Sequence, residues 1–134
     1  MLNDWESFTV DHTGPESGTQ YKHQFRARMK LSTADRLRQD EIRRATLGSF
    51  PDNPTQYVAL LAHALSELTV RLDAKSIPEW YKAPLDLPDG DSVIVAVHEA
   101  MSKAVEAAYD RHREDVEKKK VELGKVADEI KKTS

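Results

Sequence analysis

The sequence predicts an α+β fold that is mainly α: an N-terminal β-hairpin, then a small helical bundle ending in a long C-terminal helix. Three observations carry this. Tyr21, His23, Phe25, Ala27, Met29 and Leu31 alternate with Lys22, Gln24, Arg26, Arg28 and Lys30, the period-two pattern of a strand with one buried and one wet face. From Thr55 to Leu72, the residues Tyr57, Leu60, Leu61, Ala64, Leu65, Leu68 and Leu72 recur at helical spacing, which marks a helix with a broad core-facing stripe. A last helix capped at Asp91 or Ser92 would reach about Lys132, roughly 60 Å at the α-helical rise, longer than a compact body of this size covers.

The first strand is expected over Trp5 to Val10, where Trp5, Phe8 and Val10 sit among polar neighbours. Asp11 to Gly18 is a cluster of turn formers, so the two runs pair as a hairpin across a long loop. A lone two-stranded ribbon is marginal in water, and its apolar face must rest on a helix or on a neighbouring subunit. Ser32 and Asp35 have the spacing of a helix N-cap with an acid in the first turn. That helix is expected from about Thr33 to Leu47, with Gly48 as a left-handed stop. Leu37, Ile42 and Leu47 are its large aliphatics against Arg36, Arg38, Arg43 and Arg44, which places it on the surface.

Ser49 to Pro54 reads as a connector, and Asn53 followed by Pro54 as the cap and first turn of the core helix. Pro78, Pro84, Pro88 and Gly90 forbid a long element between Lys75 and Asp91. Ser76 to Tyr81 is expected to make a helical turn that plugs the core. The final helix then presents Ile94, Val97, Met101, Ala104 and Ala108 on one face, with Val93, Val105 and Tyr109 beside it. Past Tyr109 the apolar residues thin to Val116, Val121, Leu123, Val126 and Ile130 among charges, in a partial three-four spacing, and Gly124 is expected to interrupt the helix. The organisation is an N-terminal arm and loop over residues 1–18, one α+β domain over 19–109 and a charged helical extension over 110–134.

Apolar residues make up 39% and charged residues 32% of the 134 positions, so a modest core with solvated extensions is expected. The net charge of −3 supplies no global field for nucleic acid or anionic lipid. With no cysteine there are no disulfides and no thiolate chemistry, which fits a reducing cytoplasm. Met1 to Val10 contains Asp4 and Glu6 and no apolar run, so neither a signal peptide nor a membrane span is expected there.

Several constellations invite chemistry. His63 and Glu67, four apart on the core helix, could share a metal, but two ligands do not make a site and the sequence offers no evident third. The plainer reading is a satisfied histidine at the helix border. His98 beside Glu99, and His112 three before Asp115, are weaker still. Asp86, Asp89 and Asp91 surround Pro88 and Gly90 without the ligand order of a calcium loop, and helix capping accounts for Asp89 and Asp91. Arg26, Arg28, Lys30, Arg36, Arg38, Arg43 and Arg44 could meet phosphates, yet Asp35, Asp40 and Glu41 are placed to pair with them. No nucleophilic trio and no glycine-rich phosphate loop is present. The chain is therefore read as non-enzymatic, with no cofactor, catalytic residue or metal assigned.

An alternating strand ending in Lys30-Leu-Ser32 is followed by Arg38-Gln-Asp-Glu-Ile-Arg-Arg44, Leu65-Ser-Glu-Leu-Thr-Val-Arg-Leu72, Ile77-Pro-Glu-Trp80, Leu85-Asp-Leu87 and a helix from Asp91. This order resembles small proteins of tailed-bacteriophage morphogenesis clusters, in particular the tail assembly chaperones, over roughly Tyr21 to Tyr109. The resemblance implies a protein of the host cytoplasm that binds the tape-measure protein, keeps its apolar helices soluble and delivers tail-tube subunits. A homo-oligomer is a further partner to consider, and nucleic acid and membrane are not expected. The contact candidates are Phe25, Met29, Trp80, Tyr81 and the Val116, Leu123 and Ile130 face. The alternatives are a structural subunit of the virion and, behind it, a small nucleic-acid-binding protein.

Overall fold

The computed structural model describes residues 3–48 and 55–133, with side-chain environments up to residue 127. An antiparallel hairpin of β1 (Trp5–Thr13) and β2 (Gln20–Arg28) is followed by α1 (Thr33–Gly48), α2 (Gln56–Arg71), three single 3-10 turns (Ala74–Ser76, Glu79–Tyr81, Pro84–Asp86) and α3 (Gly90–Thr133). The expected α+β, mainly α architecture is therefore the observed one.

The hairpin keeps one register throughout, from Trp5 opposite Arg28 to Thr13 opposite Gln20. Phe8 faces Phe25 directly, and their rings stack with centroids 5.5 Å apart, the cross-strand pairing that stabilises a ribbon. In the connecting loop, Gly18 takes a φ of 73°, a conformation that costs glycine nothing. The alternation read from Tyr21 to Leu31 maps onto burial: Tyr21, Phe25, Ala27 and Met29 point inward, while Lys22, Gln24, Arg26, Arg28 and Lys30 face solvent.

The ribbon rests on its own chain. Phe8, Val10, Tyr21, Phe25 and Ala27 share one core with Leu68 of α2, with Leu72 just past the end of that helix, and with Val93, Ile94, Val97 and Met101 of α3. The turn over Glu79–Tyr81 closes it, as expected of a plug: Trp80 and Tyr81 meet the Phe25 ring edge-on at 5.8 and 5.7 Å. Polar ties lock β2 to the end of α2. Asp73 donates its backbone N–H to the Arg26 carbonyl at 2.9 Å, and the Arg71 guanidinium donates to the Arg28 carbonyl at 2.7 Å. The Tyr109 hydroxyl donates to the Met29 carbonyl at 2.8 Å, which joins α3 to the end of the hairpin.

At the start of α1, Ser32 and Asp35 cap reciprocally. The Asp35 N–H donates to Ser32 Oγ and the Ser32 N–H to Asp35 Oδ2, both at 3.0 Å. No residue of α1 is buried, in line with its polar composition. Three local expectations are corrected. Gly48 is the last helical residue of α1 rather than a left-handed stop, and positive φ occurs among the described residues at Gly18 alone. The cap of α2 is Thr55, whose hydroxyl accepts from the Val58 N–H; the connector with Asn53 and Pro54 lies outside the described residues. Helix α3 runs unbroken through Gly124, because one glycine costs a helix only about 1 kcal/mol against alanine.

Candidate partner-binding surface

Helix α3 extends 44 residues, and its role changes along its length. Its first turns are core. Among the described residues Ala108 is its last buried one, and an exposed ion pair between Arg111 and Glu6 of β1, at 2.9 Å, follows one turn later. Beyond it the helix carries exposed aliphatics: Val116 is 37% exposed, Leu123 70% and Val126 52%. Val116 and Leu123 stand seven apart and Val126 three further on, so they share one stripe at the spacing of a helix–helix seam. Asp115 and Glu122 border that stripe on one side and Arg113 and Lys120 on the other, an arrangement able to orient a partner helix by charge. Val121 lies off the stripe. Continuing the spacing leads to Ile130, whose side chain lies outside the described residues.

The other contact candidates do not join this surface. Phe25 and Met29 are 1% and 0% exposed, Tyr81 is buried against Phe25, and Met29 packs with Ala108. Trp80 is half-buried against Tyr21 and Phe25. Of the two covers the sequence left open for the ribbon's apolar face, a helix or a neighbouring subunit, the structure shows the chain's own: α3 and the 79–81 turn lie against it. Burial also pushes the Tyr81 phenol well above its ordinary value, so it stays a neutral core group.

The basic residues of β2 and α1 are largely held by acids of the same chain. Arg26 pairs with Asp73 at 2.7 Å and Arg28 with Asp35 at 3.4 Å. Asp40 takes both Arg43 and Arg44, at 2.6 and 3.0 Å. Arg26 and Arg28 also cover the Trp5 ring, at 4.9 and 5.2 Å from its centroid. These pairs weaken the case for a phosphate-binding face.

Two functional placements escaped the sequence. Asp89 is fully buried and serves the hairpin loop: it accepts from the Glu16 N–H at 2.7 Å, the Ser17 N–H at 3.3 Å, the Ser17 hydroxyl and the Tyr21 hydroxyl at 3.0 Å. His98 reaches across to α2, its Nε2 lying 2.8 Å from Glu67 Oε1. That hydrogen bond is the main cause holding the Glu67 carboxyl below its ordinary value; the Arg71 and His63 charges add to it and burial opposes it. A signal for His98 was present. It sits four after Ile94 and three before Met101, at the border of the buried face of α3.

Comparison with protein-family models, with curated proteins and with solved structures found no match. Among the described residues, no helix is long and apolar enough to cross a membrane.

Proposed function

We propose that this chain is a non-enzymatic assembly protein of the tail-assembly-chaperone type, which holds an apolar helix of a partner such as a tape-measure protein along the distal half of α3. The supporting observation is the stripe of Val116, Leu123 and Val126 on a helix that outruns its own core. Covering such side chains removes apolar surface from water at about 1–2 kcal/mol each, and the surrounding charges keep the free protein dissolved. The order of hairpin, polar surface helix, core helix, Trp80 plug and long last helix is also what the resemblance to tail assembly chaperones leads one to expect.

Co-expression with the products of the neighbouring genes, followed by purification of complexes, tests this reading. Leu123→Asp places a charge in the stripe and is expected to weaken capture at least tenfold with an unchanged melting temperature. Undiminished capture by that variant would contradict the assignment. Presence of the protein in finished particles would instead favour a structural subunit of the virion, since a chaperone is left behind.

A further inference from the structure

Two helices bring together three groups that the chain keeps apart. His63 and Glu67 stand one turn apart on α2, and His98 of α3 packs against both. One potential ligand atom from each lies within 4.8 Å of the other two. The His63 and His98 rings meet edge to face with centroids 5.7 Å apart. We propose that His63, Glu67 and His98 form a binding site for a divalent transition-metal ion, zinc foremost, which staples α2 to α3.

The donor set is chemically specific. Two imidazoles with one carboxylate suit zinc and its first-row neighbours, whereas calcium and magnesium call for oxygen ligands. A tetrahedral zinc with bonds of about 2.0–2.1 Å spaces its donor atoms about 3.3 Å apart. Closing the cluster to that spacing takes side-chain adjustment, which the exposed His63 is free to make. The 2.8 Å contact between His98 and Glu67 opens slightly and is exchanged for two metal bonds.

Arg71 prepares the carboxylate. Its Nε lies 3.6 Å from Glu67 Oε2, and its Nη1 is anchored on the Arg28 and Met29 carbonyls at 2.7 and 3.2 Å. The guanidinium thereby orients Glu67 from behind, as outer-shell partners do, and leaves Oε1 to face the imidazoles. Its positive charge opposes the ion, so binding is expected to be micromolar rather than that of a closed four-ligand site. The exposed side of His63 leaves the fourth position to water.

The inference does not depend on the partner-binding reading. Its test is calorimetric titration of zinc chloride into the untagged full chain at pH 7.5, with melting curves recorded alongside. One zinc per chain and a melting temperature that rises with zinc are expected, since a ligand of the folded state stabilises it. His63→Ala should keep the metal-free melting temperature and lose at least tenfold in affinity. His98→Ala, checked for folding by circular dichroism, should lose as much. His12→Ala, an imidazole outside the cluster, should bind as the parent does. No zinc uptake by the parent chain overturns the proposal, as does uptake unchanged in His63→Ala or weakened equally in His12→Ala.

Discussion

Asp89 shows how much one side chain can join. Its donors come from the hairpin loop and the start of β2, as far as 73 residues upstream, while its backbone carbonyl accepts the Val93 N–H at 2.9 Å in the first turn of α3. Gly14 is the residue that lets the loop come this close: a Cβ there would stand 2.2 Å from Asp89 Oδ2, well inside contact distance. The Ser17 hydroxyl first, then the Glu16 N–H and the Tyr21 hydroxyl, hold the Asp89 carboxyl below its ordinary value of 3.8 against the opposing effect of burial. A carboxyl whose folded pKa lies below its unfolded one contributes stability above the unfolded value, and that contribution is lost as pH falls through the folded value. Asp89→Asn is therefore expected to melt lower at pH 7 and to show a shallower loss of melting temperature on acidification below about pH 4. Identical melting curves for variant and parent at both pH values would contradict this role. Capping accounted for Asp89 in the sequence because a cap is a local matter. Its side-chain partners lie far upstream in the chain, in the hairpin, and nothing in the neighbouring residues names them.

The secondary elements were legible where periodicity and burial coincide. The alternation in β2, the Ser32 and Asp35 cap and the leucine stripe of α2 each record a local geometric demand; the cap and α2 lie within a residue of their expected places, while β2 ends at Arg28, three residues before the end of the alternation at Leu31. What the alternation could not say is which surface covers it. A ribbon's apolar face looks the same in sequence whether α3 or another subunit lies against it, so Phe25 and Met29 read as contacts although they are core. In the same way His63 and Glu67 lacked a third companion until α3 was placed across α2. Within α2 the structure ranks the leucines. Leu68 is fully buried and Leu61 only partly, so Leu68→Asp is expected to unfold the domain while Leu61→Asp is milder, as circular dichroism melts of the two variants would record. A folded Leu68→Asp protein with the parental melting temperature would refute the core assignment.

Seen whole, the molecule divides its apolar residues between two tasks. Residues of the hairpin, α2, the 79–81 turn and the first half of α3 close a core, while the second half of α3 carries Val116, Val121, Leu123 and Val126 into solvent. A helical segment with no packed neighbour opens readily and exchanges its amides fast, whereas core strands exchange only through larger openings. Hydrogen exchange on the full chain, alone and with the partner captured in co-expression, tests the central claim most directly. The account predicts that amides of residues 110–127 exchange fast in the free protein and become protected in the complex, with the protection of β2 unchanged. Protection gained along the hairpin instead, with residues 110–127 still exchanging fast, would contradict it.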